Sequence, residues 1–131
     1  MSRSDLIADS FTIIRNAIMV KKDTADLPLS NTIKAILEIL KKENYIDNFK
    51  LTEDKKQGQA RVYLKYTAHK SAIRNIRRVS RPGLRVYVRR GKVPVVLRGR
   101  GLAIISTSKG IMTDKDARET GLGGEVISYI W

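Results

Sequence analysis

The spacing of apolar residues changes along the chain, and that change limits the folds open to it. Ile7, Phe11, Ile14 and Ile18 recur every three or four positions, which puts them on one stripe of an α-helix. The spacing predicts a first helix over residues 4–20, with Ser4 as N-cap and Asp5 at the positive end of the dipole. Arg15 and Asn16 fall away from the stripe. Ile33, Ile36, Leu37 and Leu40 repeat the pattern. A second helix is therefore expected from Asn31 to Lys42, capped by Ser30 or Asn31, with Lys41 and Lys42 in a last turn that favours cations. Between the helices, Leu27-Pro28-Leu29 reads as extended, because Pro28 disfavours a helical residue before it.

Beyond Tyr45 the period is two. Tyr45, Phe49 and Leu51 share one side of a first strand. Ala60, Val62, Leu64 and Tyr66 alternate with Arg61, Tyr63 and Lys65, and residues 53–58 supply a hairpin turn. Thr67 to Ser71 is a weakly patterned link, and a boundary there gives domains 1–70 and 71–131. The second domain is expected to open with a strand over Ile73–Val79. Ser80-Arg81-Pro82-Gly83 then forms a turn. It leads into a strand that buries Leu84, Val86 and Val88 and exposes Arg85, Tyr87 and Arg89, and Gly91 ends that strand. A short helical turn over Val93–Leu97, a covered strand over Leu102–Ile105 and a helix capped at Thr113 and ended by Gly121 follow. Val126–Trp131 is a terminal strand. The fold class is α+β: two small α+β domains packed together, the N-terminal one with helices against a small sheet, the C-terminal one mostly β with short helices.

Charge points to a partner. The chain carries 26 Lys and Arg against 13 Asp and Glu, a formal +13, and such an excess calls for a polyanion, most often nucleic acid. Residues 1–70 hold 13 basic and 9 acidic side chains, a net of +4, whereas residues 71–131 hold 13 and 4, a net of +9. Ten cations and no acid lie between Arg74 and Arg100. Most are arginines, whose planar fork suits phosphate oxygens. Tyr87, between Arg85 and Arg89, adds an aromatic face of the kind that packs on bases or riboses. A merely solvated face is the weaker reading, since arginines that repel one another destabilise a small domain unless an anion compensates.

Two more segments carry polar chemistry. Ser106-Thr107-Ser108-Lys109-Gly110 reads as a strand-to-helix loop whose hydroxyls can bond base edges and 2′-hydroxyls. It lacks P-loop spacing, and Gly99-Arg100-Gly101 lacks the third glycine of a dinucleotide fingerprint. In Gly121-Leu122-Gly123-Gly124-Glu125 the glycines allow close backbone approach, and Glu125 either accepts from a base or anchors the loop. Chemistry alone leaves recognition and ordinary loop equally open for both segments. An RNA-cleaving or RNA-modifying enzyme would need a base, a nucleophile or a metal cluster. The chain has one histidine, His69, in the link, and no cysteine. Asp114, Asp116 and Glu119 suit a helix dipole better than a magnesium site. No catalytic residue, metal, cofactor or small-molecule substrate is expected. No apolar run approaches the roughly 20 residues of a membrane span, so a soluble, intracellular protein without a membrane partner is expected.

The segments IADSFTIIRNA, LPLSNTIKAILEILKKENYI, VYLKY, SRPGLRVYV, PVVLRGRGLAIISTSKGIMTDKDAR and GGEVISYIW resemble the bacterial-type family of small ribosomal subunit protein number eight. The resemblance covers essentially the whole chain, and STSKGIMTDKDAR is its most specific part. It implies two α+β domains and a non-enzymatic, primary rRNA-binding role. The expected site is a helix in the central domain of small-subunit (16S) rRNA, where binding supports platform assembly beside neighbouring ribosomal proteins, in a cytoplasmic or plastid ribosome. It also implies Ser106, Thr107 and Ser108 as the central RNA-contacting loop, beside Lys109, with Gly123, Gly124 and Glu125 as its C-terminal partner. Tyr87 with Arg85 and Arg89 matches a contact strand. Ser4, Asp5, Arg15 and Asn16 match a secondary contact on the first helix. Some members repress translation of their own operon through a messenger that mimics the rRNA site, and the resemblance raises that activity here. The chain departs from the family at Arg98 and Arg100, where a small polar and an apolar residue are usual. Their charge either adds phosphate contacts or serves an RNA or protein neighbour. It departs again at Leu6, in place of the usual proline.

Overall fold

The computed structural model describes residues 5–53 and 58–131. Ser4, expected as a cap and as an RNA contact, and residues 54–57 of the expected turn lie outside the described residues. Contacts divide the chain into two compact units, Leu6–Arg74 and Asn75–Trp131, with Asp5 counted in the latter.

The first unit runs α1 (Leu6–Met19), β1 (Thr24–Pro28), α2 (Asn31–Lys42), β2 (Ile46–Glu53), β3 (Gly58–Leu64), β4 (Tyr66–Thr67) and β5 (Lys70–Ser71). α2 buries Ile33, Ile36, Leu37 and Leu40, the face its period predicts. The Ser30 hydroxyl caps it by accepting the Ile33 N–H at 3.1 Å. α1 buries Phe11 and Ile14 together with Ser10 and Ala17, while Ile7 and Ile18 are half-buried. Ser10 tolerates burial because its hydroxyl donates to the Leu6 carbonyl at 2.9 Å, leaving no unpaired polar group. β1, β3 and β2 form an antiparallel sheet in that order. α1 packs on β1 and α2 on β2. A register shift between Ile46 and Asn48 corrects the expected inward face of β2. Ile46, not Tyr45, is its buried anchor, and Leu51 is exposed. The segment expected to be a link is a small hairpin, β4 paired with β5, turned by left-handed Ala68 and His69. The Tyr66 hydroxyl donates to the Lys22 carbonyl at 2.7 Å, and burial, aided by Asp23, raises its pKa above the ordinary phenol value.

The second unit runs β6 (Ile76–Arg78), β7 (Tyr87–Val88), β8 (Leu102–Thr107), β9 (Gly110–Thr113), α3 (Asp114–Thr120) and β10 (Gly124–Ile130). β10 is the hub of an antiparallel sheet. It pairs with β8 along one edge, and with β6 and then β7 along the other, while β9 extends β8 outward. On one face, Val93, Val96, Ala103, Ile105, Ala117 and Val126 form a core against which Val86, Val88, Tyr129 and Trp131 pack. Fully burying side chains such as Ile105 and Val126 stabilises the unit by about 1.5–3 kcal/mol each. Thr113 caps α3, accepting the Asp116 N–H at 3.1 Å, and left-handed Gly121 ends it.

Four expectations here are corrected. The strand expected over Ile73–Val79 is regular only at Ile76–Arg78. The next one is reduced to Tyr87–Val88, because Arg81 and Leu84 exchange backbone hydrogen bonds of 2.9 and 3.0 Å and close a tight turn. That turn leaves Leu84 70% exposed instead of buried. The helical turn expected at Val93–Leu97 falls at Val96–Gly99 and contains left-handed Leu97 and Arg98. Finally, a strand, β9, stands where a loop was expected to run directly into α3.

Candidate nucleic-acid interface

The hub strand brings three separate segments side by side. Glu125 on β10 faces Ser106 on β8 and, on its other side, Tyr87 on β7. Gly124 faces Val88. This register requires glycine at two places. A Cβ on Gly124 would overlap the Ser106 carbonyl, and one on Gly123 would overlap the Val88 carbonyl and come within 2.6 Å of the Arg90 amide. The Gly123-Gly124 pair therefore lets β10 enter between β7 and β8 at close quarters.

The hydroxyl segment is a β-hairpin tip, not a strand-to-helix loop. Thr107 ends β8, Gly110 starts β9, and the two residues pair. The Thr107 hydroxyl donates to the Gly110 carbonyl at 2.8 Å and accepts the Lys109 N–H at 3.1 Å. It holds the tip closed and has little capacity left for a partner. Ser106 is half-buried, Ser108 and Lys109 are exposed, and neither serine hydroxyl has a partner among the described residues. The two serines, rather than Thr107, offer unused hydrogen-bonding groups.

Tyr87, on β7, is 68% exposed. Arg85 donates to Glu125 with Nη1 to Oε2 at 3.0 Å. Glu125 is thus an anchor for the arginine beside Tyr87. Arg89 and Arg90 are exposed and make no ion pair among the described residues. The result is a row, Tyr87, Glu125 and Ser106, edged by cations and ending at a hydroxyl tip.

The remaining expected site residues lie elsewhere. Arg15 and Asn16 are exposed on α1 of the first unit, and Arg15 donates to the Thr12 hydroxyl at 3.2 Å. Asp5 is bound to Arg78 at 3.1 Å, with side-chain exposures of 16% and 8%, and Arg78 also donates to the Ile127 carbonyl at 2.9 Å. Asp5 is therefore a structural anchor. Asp114 is committed as well. It accepts the Ala103 N–H at 3.1 Å and pairs with Arg118 at 2.9 Å. Among the described residues no three His, Asp or Glu side chains gather in a way that could hold a metal ion. The register that joins Ser106 to Tyr87 was missed from sequence. A two-residue tip followed by glycine, Ser108-Lys109-Gly110, was the signal that could have revealed the hairpin.

Comparison with known proteins bears on this geometry. A family model described as Ribosomal protein S8 matches residues 5–131. A protein of Desulforamulus reducens named small ribosomal subunit protein uS8 is 55% identical over 132 aligned residues, covering 100% of both chains. A protein of the same name from Moorella thermoacetica is 54% identical, with 98% of this chain and 99% of the relative covered. Another from Streptococcus pyogenes is 52% identical with both chains fully covered.

Proposed function

The chain belongs to the ribosomal protein S8 family, and on that premise we propose that it is a structural constituent of the small ribosomal subunit that binds the subunit's rRNA directly. The observation that carries the RNA-binding part is the Tyr87, Glu125 and Ser106 row within the arginine-rich unit. A ring, two unused hydroxyls at or beside the hairpin tip and several phosphate-grade forks share one end of one sheet. Hydroxyls and ring read shape and edges, and the arginines read charge. The row suits the wide, shallow minor groove of an RNA helix, where 2′-hydroxyls and base edges can be reached.

The target in this reading is a helix of the central domain of 16S rRNA, with platform assembly beside neighbouring ribosomal proteins as the consequence. Residues 71–131 carry most of the affinity, and Arg15 and Asn16 add a secondary contact. The role is binding without chemistry on the RNA. A messenger that reproduces the same helix would compete for the same row, which is the physical basis for repression of an operon. Footprinting the full chain on small-subunit rRNA tests the reading. Protection confined to one central-domain helix is expected. Uniform protection of any duplex, or cleavage of the RNA, would overturn it.

A further inference from the structure

A hollow lies on the second unit, at the β6 edge of the sheet. Its cavity of about 510 Å³ is lined by Arg77, Arg78, Arg81, Leu84 and Tyr129, among others. Arg78 is occupied by Asp5. Arg77 and Arg81 are exposed, and neither side chain has a partner among the described residues. Arg77 and Tyr129 face each other across β6 and β10, and Tyr129 is held by packing on the core. Leu84 projects from the turn that closes on Arg81. Two unpaired guanidinium forks, a fixed aromatic ring and an exposed aliphatic side chain thus line one hollow, and among the described residues no acid lines it.

We propose that this hollow takes one unpaired nucleotide of the bound rRNA, its phosphate gripped by Arg77 and Arg81 and its base set against Tyr129 and Leu84. The proposal rests on the rRNA-binding reading and adds a second, separate contact to it. A phosphate alone would not use the ring or Leu84, whereas an unstacked base offers a flat face to both. The volume falls in the range of small-ligand pockets, ample for a single nucleotide. Continuity favours RNA over an acidic protein segment. Leu84 is followed at once by Arg85 and then Tyr87, so a single short turn joins the hollow to the Tyr87, Glu125 and Ser106 row.

The test uses the full chain and a central-domain rRNA transcript. Binding is measured at several salt concentrations, and the RNA bases are probed chemically in the complex. Arg77→Gln with Arg81→Gln removes one single-strand phosphate contact, so the log–log salt slope should shrink by about 0.7. Leu84→Ala, at an exposed position, should leave the slope unchanged and raise the reactivity of one base outside the footprint of the hairpin tip. If the wild type binds the transcript and the double variant keeps its slope and affinity, the hollow is not an RNA site. A double variant that keeps the RNA slope but loses binding of a polyglutamate peptide assigns the hollow to an acidic protein segment and overturns the proposal equally. Failure of the wild type to bind the transcript would instead remove the rRNA reading itself.

Discussion

Glu125 places its Oε2 3.0 Å from Arg85 Nη1, so the one acid of the row holds the cation beside Tyr87 in place. Arg85 is therefore not a simple free phosphate contact. RNA that takes Arg85 leaves Glu125 unneutralised next to the backbone. Removing Arg85 alone should weaken binding by more than a lost phosphate contact, because a carboxylate then faces RNA unopposed.

The first prediction separates those effects. Arg89→Ala should shrink the salt slope by roughly 0.7–0.9 and weaken cognate and unrelated RNA alike. Arg85→Ala should lose more affinity than Arg89→Ala. Adding Glu125→Gln to Arg85→Ala should recover part of that loss. Filter binding across a salt series checks all three variants, and no recovery in the double variant would mean that Glu125 contacts the RNA itself.

The second concerns close approach. Gly124→Ala sets a methyl against the Ser106 carbonyl, and the backbone there cannot give way as a flexible side chain could. A loss of about 1–3 kcal/mol in urea unfolding is expected, together with loss of RNA binding, since the shift opens the β8–β10 register. Unchanged stability would show that the strands relax without cost.

The third concerns Asp5. Its pairing with Arg78 is largely shielded from water, and breaking such a pair strands a cation. Asp5→Asn should lower stability by about 1.5–3 kcal/mol and leave the salt slope of RNA binding unaltered. A changed slope with intact stability would mark Asp5 as an RNA contact.

Much of this fold is legible in the sequence where the signal is local. The α2 face of Ile33, Ile36, Leu37 and Leu40 and its Ser30 cap follow from spacing and one hydroxyl. So do the Thr113 cap and the Gly121 stop of α3. Leu84 was misplaced because alternation continues through it, while the turn that ejects it depends on Arg81 and Leu84 bonding to each other. β9 was missed because it offers only Ile111 and Met112 as apolar residues and ends on the threonine that also caps α3. The composition of the row, with Tyr87, the hydroxyls and the glycines, was visible. Its geometry was not, because Glu125 meets residues far away in the chain and only sheet register brings them together. The Asp5–Arg78 pair spans 73 positions and is hidden from local patterns for the same reason.

The last prediction divides the three hydroxyls by role. Thr107 spends its hydroxyl inside the hairpin, donating to Gly110 and accepting from Lys109. Thr107→Ala should therefore cost about 0.5–1.5 kcal/mol of stability, concentrated in the tip, and faster amide exchange at Lys109 should accompany it. Its effect on RNA binding comes through a loosened tip. Ser108 has no such internal duty. Ser108→Ala should leave unfolding unchanged and weaken the cognate RNA by about 1–2 kcal/mol in a desolvated interface. Neither variant should move the salt slope, because no counterion release depends on a hydroxyl. Discrimination between cognate and mismatched RNA should fall in Ser108→Ala, whereas Arg89→Ala keeps discrimination and loses affinity. Measuring stability and both RNA affinities on the same preparations decides the matter. If Ser106→Ala with Ser108→Ala folds and binds cognate RNA as the wild type does, the tip is not the reader, and the cations alone must account for binding.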